Sequence, residues 1–153
     1  MTNIFVQFLI ALFATLGFAV IFRVPRRHIP ACVLVGALGW VTYQLTFAAW
    51  ESPVLGCFAG ACAVGLLSAI CARVFKEATT IFIIPGILCL VPGSNIFKTM
   101  EAVLNHNVDN AGEIGIQTLM MAGAIAMGLL VMGAILGIIK RLVSKTVTLK
   151  DKF

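Results

Sequence analysis

Five apolar stretches separated by short polar segments make up most of this chain. They lie at residues 4–22, 29–50, 54–72, 78–104 and 114–139. An α-helix rises about 1.5 Å per residue, so about 20 apolar residues cross a hydrocarbon core of about 30 Å. The pattern predicts an all-α integral membrane protein, a single transmembrane domain over residues 1–153 with about five transmembrane helices. A basic cytoplasmic tail is expected at 140–153.

The fourth stretch differs from the others because two Pro-Gly pairs interrupt it, Pro85-Gly86 and Pro92-Gly93. Proline removes a backbone donor, and glycine admits positive φ, so we expect the helix to break at both pairs. Unpaired backbone groups are tolerated in a membrane only against protein or a wet cavity. Residues 84–95 are therefore expected to face a polar space, with Ser94 or Asn95 capping a new helix.

The positive charges predict the orientation of the spans. Of the 11 Lys and Arg residues, Lys98 alone falls on the side opposite to the others. A bias of Lys and Arg marks the cytoplasmic side, so the N-terminus is expected outside and the C-terminus in the cytoplasm. The first stretch is not interpreted as a signal peptide, because its charges follow the apolar core instead of preceding it.

Composition supports a lipid bilayer as the surroundings of this chain. Hydrophobic residues make up 61%, charged residues 11%, and the mean hydropathy is +1.07, whereas soluble domains carry about 25% charged residues. The net charge of +5 comes from basic residues in loops, with no basic stripe interleaved with aromatics, so no nucleic-acid partner is expected. The 5 cysteines form no CxxC pair, which leaves no expected metal or cofactor and favours small packing residues.

The helix after the second pair offers candidate pathway residues. Asn95, Lys98 and Glu101 share one face, and Lys98 and Glu101 stand at i, i+3, where they could pair. Gln117 enters the last stretch from the same side of the predicted membrane. The candidate set for substrate binding or passage comprises Pro85, Gly86, Pro92, Gly93, Ser94, Asn95, Lys98, Thr99, Glu101 and Gln117.

Other polar and small residues have a simpler interpretation beside the functional one. Glu77 is either a proton-coupling carboxylate or, as the loop position favours, a solvated charge; His28 and His106 are taken as loop residues without ligand spacing. Two GxxxG pairs predict close helix packing, within the subunit or in a homo-oligomer. These pairs are Gly56 with Gly60 and Gly133 with Gly137.

The segment IPGILCLVPGSNIFKTMEAVL, followed by GIQTLMMAGAIAMG, resembles the threonine/serine exporter family. Nearly the whole chain is similar to the small-subunit type, which corresponds to the C-terminal half of longer exporters. The paired Pro-Gly pattern matches, with Thr99 and Met100 in the following helix, and Cys89 stands where proline is common.

The resemblance implies a membrane subunit of a secondary exporter in the bacterial inner membrane. It also implies export of threonine, serine or a small dicarboxylate such as succinate, driven by the proton motive force in antiport, with a larger membrane subunit as partner. The alternative is a structural or assembly protein without a pathway of its own. An enzyme is not expected, because no convergent nucleophile, acid pair or metal ligands lie within the spans. A polar cavity at the break, lined by Asn95 or Thr99, would favour the exporter.

Overall fold

The computed structural model describes the backbone of residues 4–150 and the side chains of residues 5–139. This part of the chain forms six α-helices and no strand, which confirms the all-helical prediction. The helices are α1 (Ile4–Ile21), α2 (Ile29–Trp50), α3 (Pro53–Phe75), α4 (Thr80–Leu88), α5 (Gly93–Leu104) and α6 (Val108–Lys150). The side chains of the predicted tail lie outside the described residues.

Several of these helices can cross a membrane. By length and hydropathy α2, α3 and the Val108–Ile139 part of α6 qualify alone, and α4 with α5 qualifies as a pair bent by 48°. Helix α1 is also apolar, but over Phe5–Ile21 it is shorter than these helices. A multi-pass membrane protein follows from these helices, whereas the number five and the orientation stay predictions.

The last helix begins earlier than the apolar pattern indicates. Residues 105–113 are polar, yet α6 starts at Val108 and includes most of them. The Asn107 side chain accepts a hydrogen bond from the N–H of Asn110 at 3.4 Å, and Asp109 lies in the first turn. An Asn cap and an acidic first turn stabilise a helix start independently of hydropathy.

The helices pack in sequence order around α2 and α3. Close neighbours are α1 with α2, α2 with α3, α3 with α6, and α5 with α6, while α4 lies against α1, α2 and α3. We call the end with the α1–α2 and α3–α4 turns the inner end, after the predicted orientation, and the opposite end the outer end. A buried apolar cluster lies toward each end.

Glycines on α2 and α3 allow the closest approaches. Gly56 lies against the ring of Tyr43, and a Cβ added at Gly60 would collide with Leu90. The Gly56–Gly60 pair is therefore used inside the chain. Gly133 and Gly137 have no neighbour within 4 Å among the described atoms.

Replacing Gly128 tests the contact between α3 and α6. A Cβ at Gly128 would lie 2.8 Å from the Phe58 carbonyl oxygen and 2.9 Å from Ala61 Cβ, and backbone atoms cannot move aside cheaply. We expect Gly128→Ala to lower the free energy of unfolding by about 1–3 kcal/mol, measured by thermal unfolding in detergent. Gly133→Ala, in the same helix but in open space, should leave stability unchanged or slightly raised. Equal effects of the two substitutions would contradict this packing.

Candidate functional site

The fourth span breaks at the second Pro-Gly pair. Helix α4 ends at Leu88, α5 begins at Gly93, and Pro92 between them has φ −76° and ψ 59°. The N–H of Gly93 donates to the Val91 carbonyl at 2.7 Å, which together with these angles is an inverse γ-turn. No glycine among the described residues has a positive φ. The expectation that glycine breaks the helix through a positive φ is therefore wrong, and proline makes the turn.

The first pair does not break the helix, contrary to expectation. Pro85 lies inside α4, where its missing N–H frees the carbonyl of Ile81, four residues earlier. The thiol of Cys32 on α2 donates to that carbonyl at 3.4 Å. Gly86 lets α4 approach α2 and α3, because a Cβ there would lie 3.2 Å from both Val35 and Val64. This pair therefore serves packing. The backbone hydrogen bond that Pro85 cannot donate is replaced by a hydrogen bond from the Cys32 thiol.

Helix α5 starts without a side-chain cap. Its N-cap is Pro92, so the prediction that Ser94 or Asn95 caps the helix is wrong, because both already lie in the first turn. The N–H groups of Asn95 and Ile96 donate to the Pro92 carbonyl. That of Ser94 has no partner among the described residues, which leaves one free donor at the positive end of the helix dipole.

The backbone of the break is held inside the bundle by Leu90. Its side chain is 3% exposed and fills the space above Gly39 and Gly60. Beside it, the Cys89 thiol lies 3.1 Å from the Thr15 hydroxyl of α1. The carbonyls of Leu88, Cys89 and Leu90 accept no hydrogen bond from the described residues, and such groups need water or a ligand.

A cavity of about 540 Å³ opens at the break. We call it the break cavity; five of the sequence-predicted site residues line it, namely Pro92, Gly93, Ser94, Asn95 and Gln117. The Asn95 side-chain amide also donates to the Met121 sulfur at 3.6 Å. The volume of the break cavity falls in the range of small-molecule sites, about 300–1,000 Å³. A cavity lined by Asn95 is thus present where the exporter interpretation expects one.

The opposite wall of the break cavity comes from α2, and sequence reasoning missed it. Trp40, Tyr43 and Phe47 line it, with Glu51 at the end of the helix. Ring centroids lie 5.1 Å apart for Trp40 and Tyr43 and 6.2 Å apart for Tyr43 and Phe47, and both pairs are stacked. The i, i+3, i+7 spacing of these aromatic residues was the available signal.

The other predicted site residues lie away from the break cavity. Pro85 and Gly86 are buried in the packing of α4. The Thr99 hydroxyl donates to the Asn95 carbonyl at 2.8 Å, and its methyl group faces Gly115 of α6. Lys98 and Glu101 line a separate groove of about 350 Å³ and form no ion pair, since His28 with Glu77 is the one pair among the described side chains.

A second cavity, of about 490 Å³, adjoins the break cavity, and Trp40 and Cys89 line both. It contains two amides that the sequence analysis did not single out, Gln7 of α1 and Gln44 of α2. The Gln7 Oε1 atom is buried and has no hydrogen-bond partner. An unpaired buried acceptor is costly unless water or a ligand meets it, so this amide offers a polar contact in a cavity whose other lining residues, Gln44 apart, are mostly apolar.

Comparison with known proteins identifies relatives of this chain. A family model described as "Threonine/Serine exporter, ThrE" matches residues 7–135. An uncharacterized protein of Haemophilus influenzae is 26% identical over 104 residues, which are 68% of this chain and 35% of that protein. The aligned part thus spans about a third of the length of this curated relative. No solved structure matches the chain.

A double-mutant cycle tests the thiol that replaces the hydrogen bond lost at Pro85. Cys32→Ala leaves the Ile81 carbonyl unpaired and should cost about 1 kcal/mol of unfolding free energy. In a Pro85→Ala background the new N–H can reach that carbonyl, so the same change should cost less. Cys62→Ala is the control: its thiol donates to the Gly128 carbonyl at 3.6 Å, and its cost should not depend on residue 85. Additivity of Cys32→Ala with Pro85→Ala would contradict the proposed replacement.

Proposed function

The chain belongs to the threonine/serine exporter family, and on that premise we propose that it is a membrane subunit of a secondary exporter whose substrate passes through the break cavity. The observation that carries the proposal is the cavity itself. It is built at a helix break inside the bundle, with Asn95 and Gln117 among its lining residues. Discontinuous membrane helices provide substrate sites in many secondary transporters.

The charges around the break cavity support a zwitterionic substrate. The free N–H of Ser94 at the start of α5 suits a carboxylate. Glu51 and the rings of Trp40 and Tyr43 suit an ammonium group, by charge and by cation–π attraction. No Lys, Arg or His is among the described residues lining the cavity, which disfavours two carboxylates. We therefore propose threonine or serine ahead of succinate.

The adjoining cavity extends the proposed pathway. Substrate leaving the break passes Trp40 and Cys89, the residues common to both cavities, and meets the amides of Gln7 and Gln44. Neutral amides can hydrogen-bond a hydroxyl-bearing substrate. They hold it less tightly than a second charged site would, so the substrate can leave. The alternative of a purely structural protein does not require a cavity lined by amides at the break, and we propose transport instead of catalysis.

A larger membrane subunit is the proposed partner, in the bacterial inner membrane, with the proton motive force as the driving force. Two observations support the partner. The aligned part of this chain spans about a third of a longer relative, and a Cβ added at Gly133 or Gly137 on α6 would meet no described atom within 4 Å. Small residues on a membrane helix let a second helix approach closely, from that subunit or from a second copy.

Substituting Asn95 tests the pathway. We expect Asn95→Ala to slow threonine efflux about 2- to 10-fold, as loss of one neutral hydrogen bond costs about 0.5–1.5 kcal/mol. Gln117→Ala should act in the same direction. The assay is release of labelled threonine from cells that express this chain with its larger partner. Asn105→Ala is the matched control, because Asn105 lines the separate groove. An equal rate for Asn95→Ala and Asn105→Ala would place the pathway elsewhere.

Substituting Glu51 tests the substrate class. If Glu51 holds the ammonium group, Glu51→Gln should reduce threonine and serine efflux about tenfold or more, while succinate efflux stays constant or rises. Charged hydrogen bonds contribute about 1.5–3 kcal/mol, which sets this magnitude. Glu101→Gln, in the separate groove, is the control. Loss of succinate efflux with unchanged threonine efflux would reverse the assignment.

A further inference from the structure

His28, in the turn between α1 and α2, is a buried histidine. It is 5% exposed, although the sequence indicated only a loop residue at the end of a basic turn. Its ring meets Phe75 and Phe82 edge to face, with centroids 5.1 and 5.9 Å apart. The imidazole thus lies between the end of α3 and the start of α4, and its Nδ1 atom is buried without a partner.

Glu77 faces this histidine from the turn after α3. Lys76 ends α3 with φ 56°, and the Glu77 N–H returns to the Ala72 carbonyl at 3.1 Å. The turn places Glu77 Oε1 3.6 Å from His28 Nε2, while the Glu77 side chain stays 43% exposed. One carboxylate therefore reaches both a buried imidazole and open space.

The open space beside Glu77 is a cavity of about 650 Å³ at the inner end of the bundle. Glu77 is its one acidic residue among the described side chains, and Arg73, Lys76 and Thr79 are its other polar ones. Two cations and one carboxylate match the α-carboxylate and the α-ammonium of an amino acid. Charges of both signs therefore occur here as well as at the break.

Few other titratable groups surround His28. Its own turn contributes Arg23, Arg26 and Arg27, which are exposed, and the end of α3 contributes the cations named above. Two thiols belong to the apolar cluster at this end, Cys32 and Cys71. Neither α1 nor α4 has an acidic, basic or histidine side chain among its described residues. Glu77 is therefore the counter-charge within 4 Å of the imidazole.

We propose that Glu77 is shared between the protonated His28 imidazolium and the ammonium group of an amino acid loaded into the inner cavity, so that loading releases one proton. Histidine changes charge between about pH 5 and 8. When the substrate ammonium takes Glu77, the imidazolium is left buried among aromatic rings without a counter-charge, which is unfavourable. It then gives its proton to water and remains a neutral ring.

Atoms and charge are conserved: a neutral zwitterion enters the site and one proton leaves to water, so the loaded site is one unit more negative than the empty one. Binding and protonation are linked reciprocally, so each weakens the other. The inference rests on the proposed function, since it assumes that this chain handles amino acids. The inference adds His28 and Glu77 as the residues that couple proton release to amino-acid binding. It also assigns a loading site distinct from the break cavity.

Calorimetry on the purified chain, with its larger partner where the two co-purify, tests the inference with L-threonine as the probe. Titrations in two buffers of different ionisation enthalpy give the protons released per threonine bound. We expect a release that rises toward one proton per threonine as the pH is lowered across the range of about 5–8 in which histidine changes charge, and an apparent Kd that weakens with it. Wild-type binding without proton release overturns the proposal and needs no variant.

Variants separate the coupling pair from the fold. His28→Gln should remove both the proton release and the pH dependence of threonine binding, and Glu77→Gln should weaken binding at this site. His106→Gln is the matched control, since His106 is the other of the 2 histidines and is exposed; it should behave as wild type. Retained proton release in His28→Gln contradicts the proposal.

The outcomes also separate this inference from the proposed function. Threonine that is exported in an Asn95-dependent manner, and that binds without proton release, refutes the coupling pair alone. Failure of threonine both to bind and to be exported refutes the proposed function and the loading site together.

Discussion

A break of four non-helical residues in a helical membrane bundle, with Leu90 and Pro92 buried, is the constraint on which this structure depends. Residues 89–92 leave backbone groups without intrahelical partners, and lipid offers none. Gly39 and Gly60 remove side chains from the facing surfaces of α2 and α3, so that Leu90 fits above them and anchors the break in the bundle, while the Val91 side chain stays exposed. The glycine surfaces of α2 and α3 and the break therefore depend on each other. Without the glycines Leu90 would have no space in the bundle, and without Leu90 the glycines would leave a void.

Polar space in the bundle occurs at two levels, each with an acidic residue. Glu51 lines the break cavity toward the outer end, and Glu77 lines the inner cavity. Between them lies close packing that includes Phe82 and Val64, both fully buried. The described conformation has an open groove at each end and an apolar centre. The proposed export requires such a separation, because a continuous channel would dissipate a gradient.

The hydrophobic pattern was enough to predict an all-helical membrane protein, and the Pro-Gly pairs predicted a break in the fourth apolar stretch, because both features depend on local sequence. The details depended on contacts that a single sequence does not reveal. Pro85 stays helical because a thiol 53 positions earlier satisfies its freed carbonyl, and nothing local to Pro85 distinguishes it from Pro92. The aromatic wall on α2 was visible as a periodic pattern, but its position opposite Asn95 was not. Likewise, His28 and Glu77 were predicted to share the inner end, whereas their 3.6 Å separation depends on how two turns fold.

The walls of the break cavity come from two sides of the bundle. Asn95 and Gln117 lie on α5 and α6, and α5 approaches no helix but α6 among those described. Trp40 lies on α2, and Glu51 is the residue that ends that helix. Helix α6 is fixed by its extensive packing against α3, so Gln117 has a firm position relative to the aromatic wall. Asn95 depends instead on the Pro92 turn and on the contact of α5 with α6, and the width of the cavity on its side follows from those two attachments.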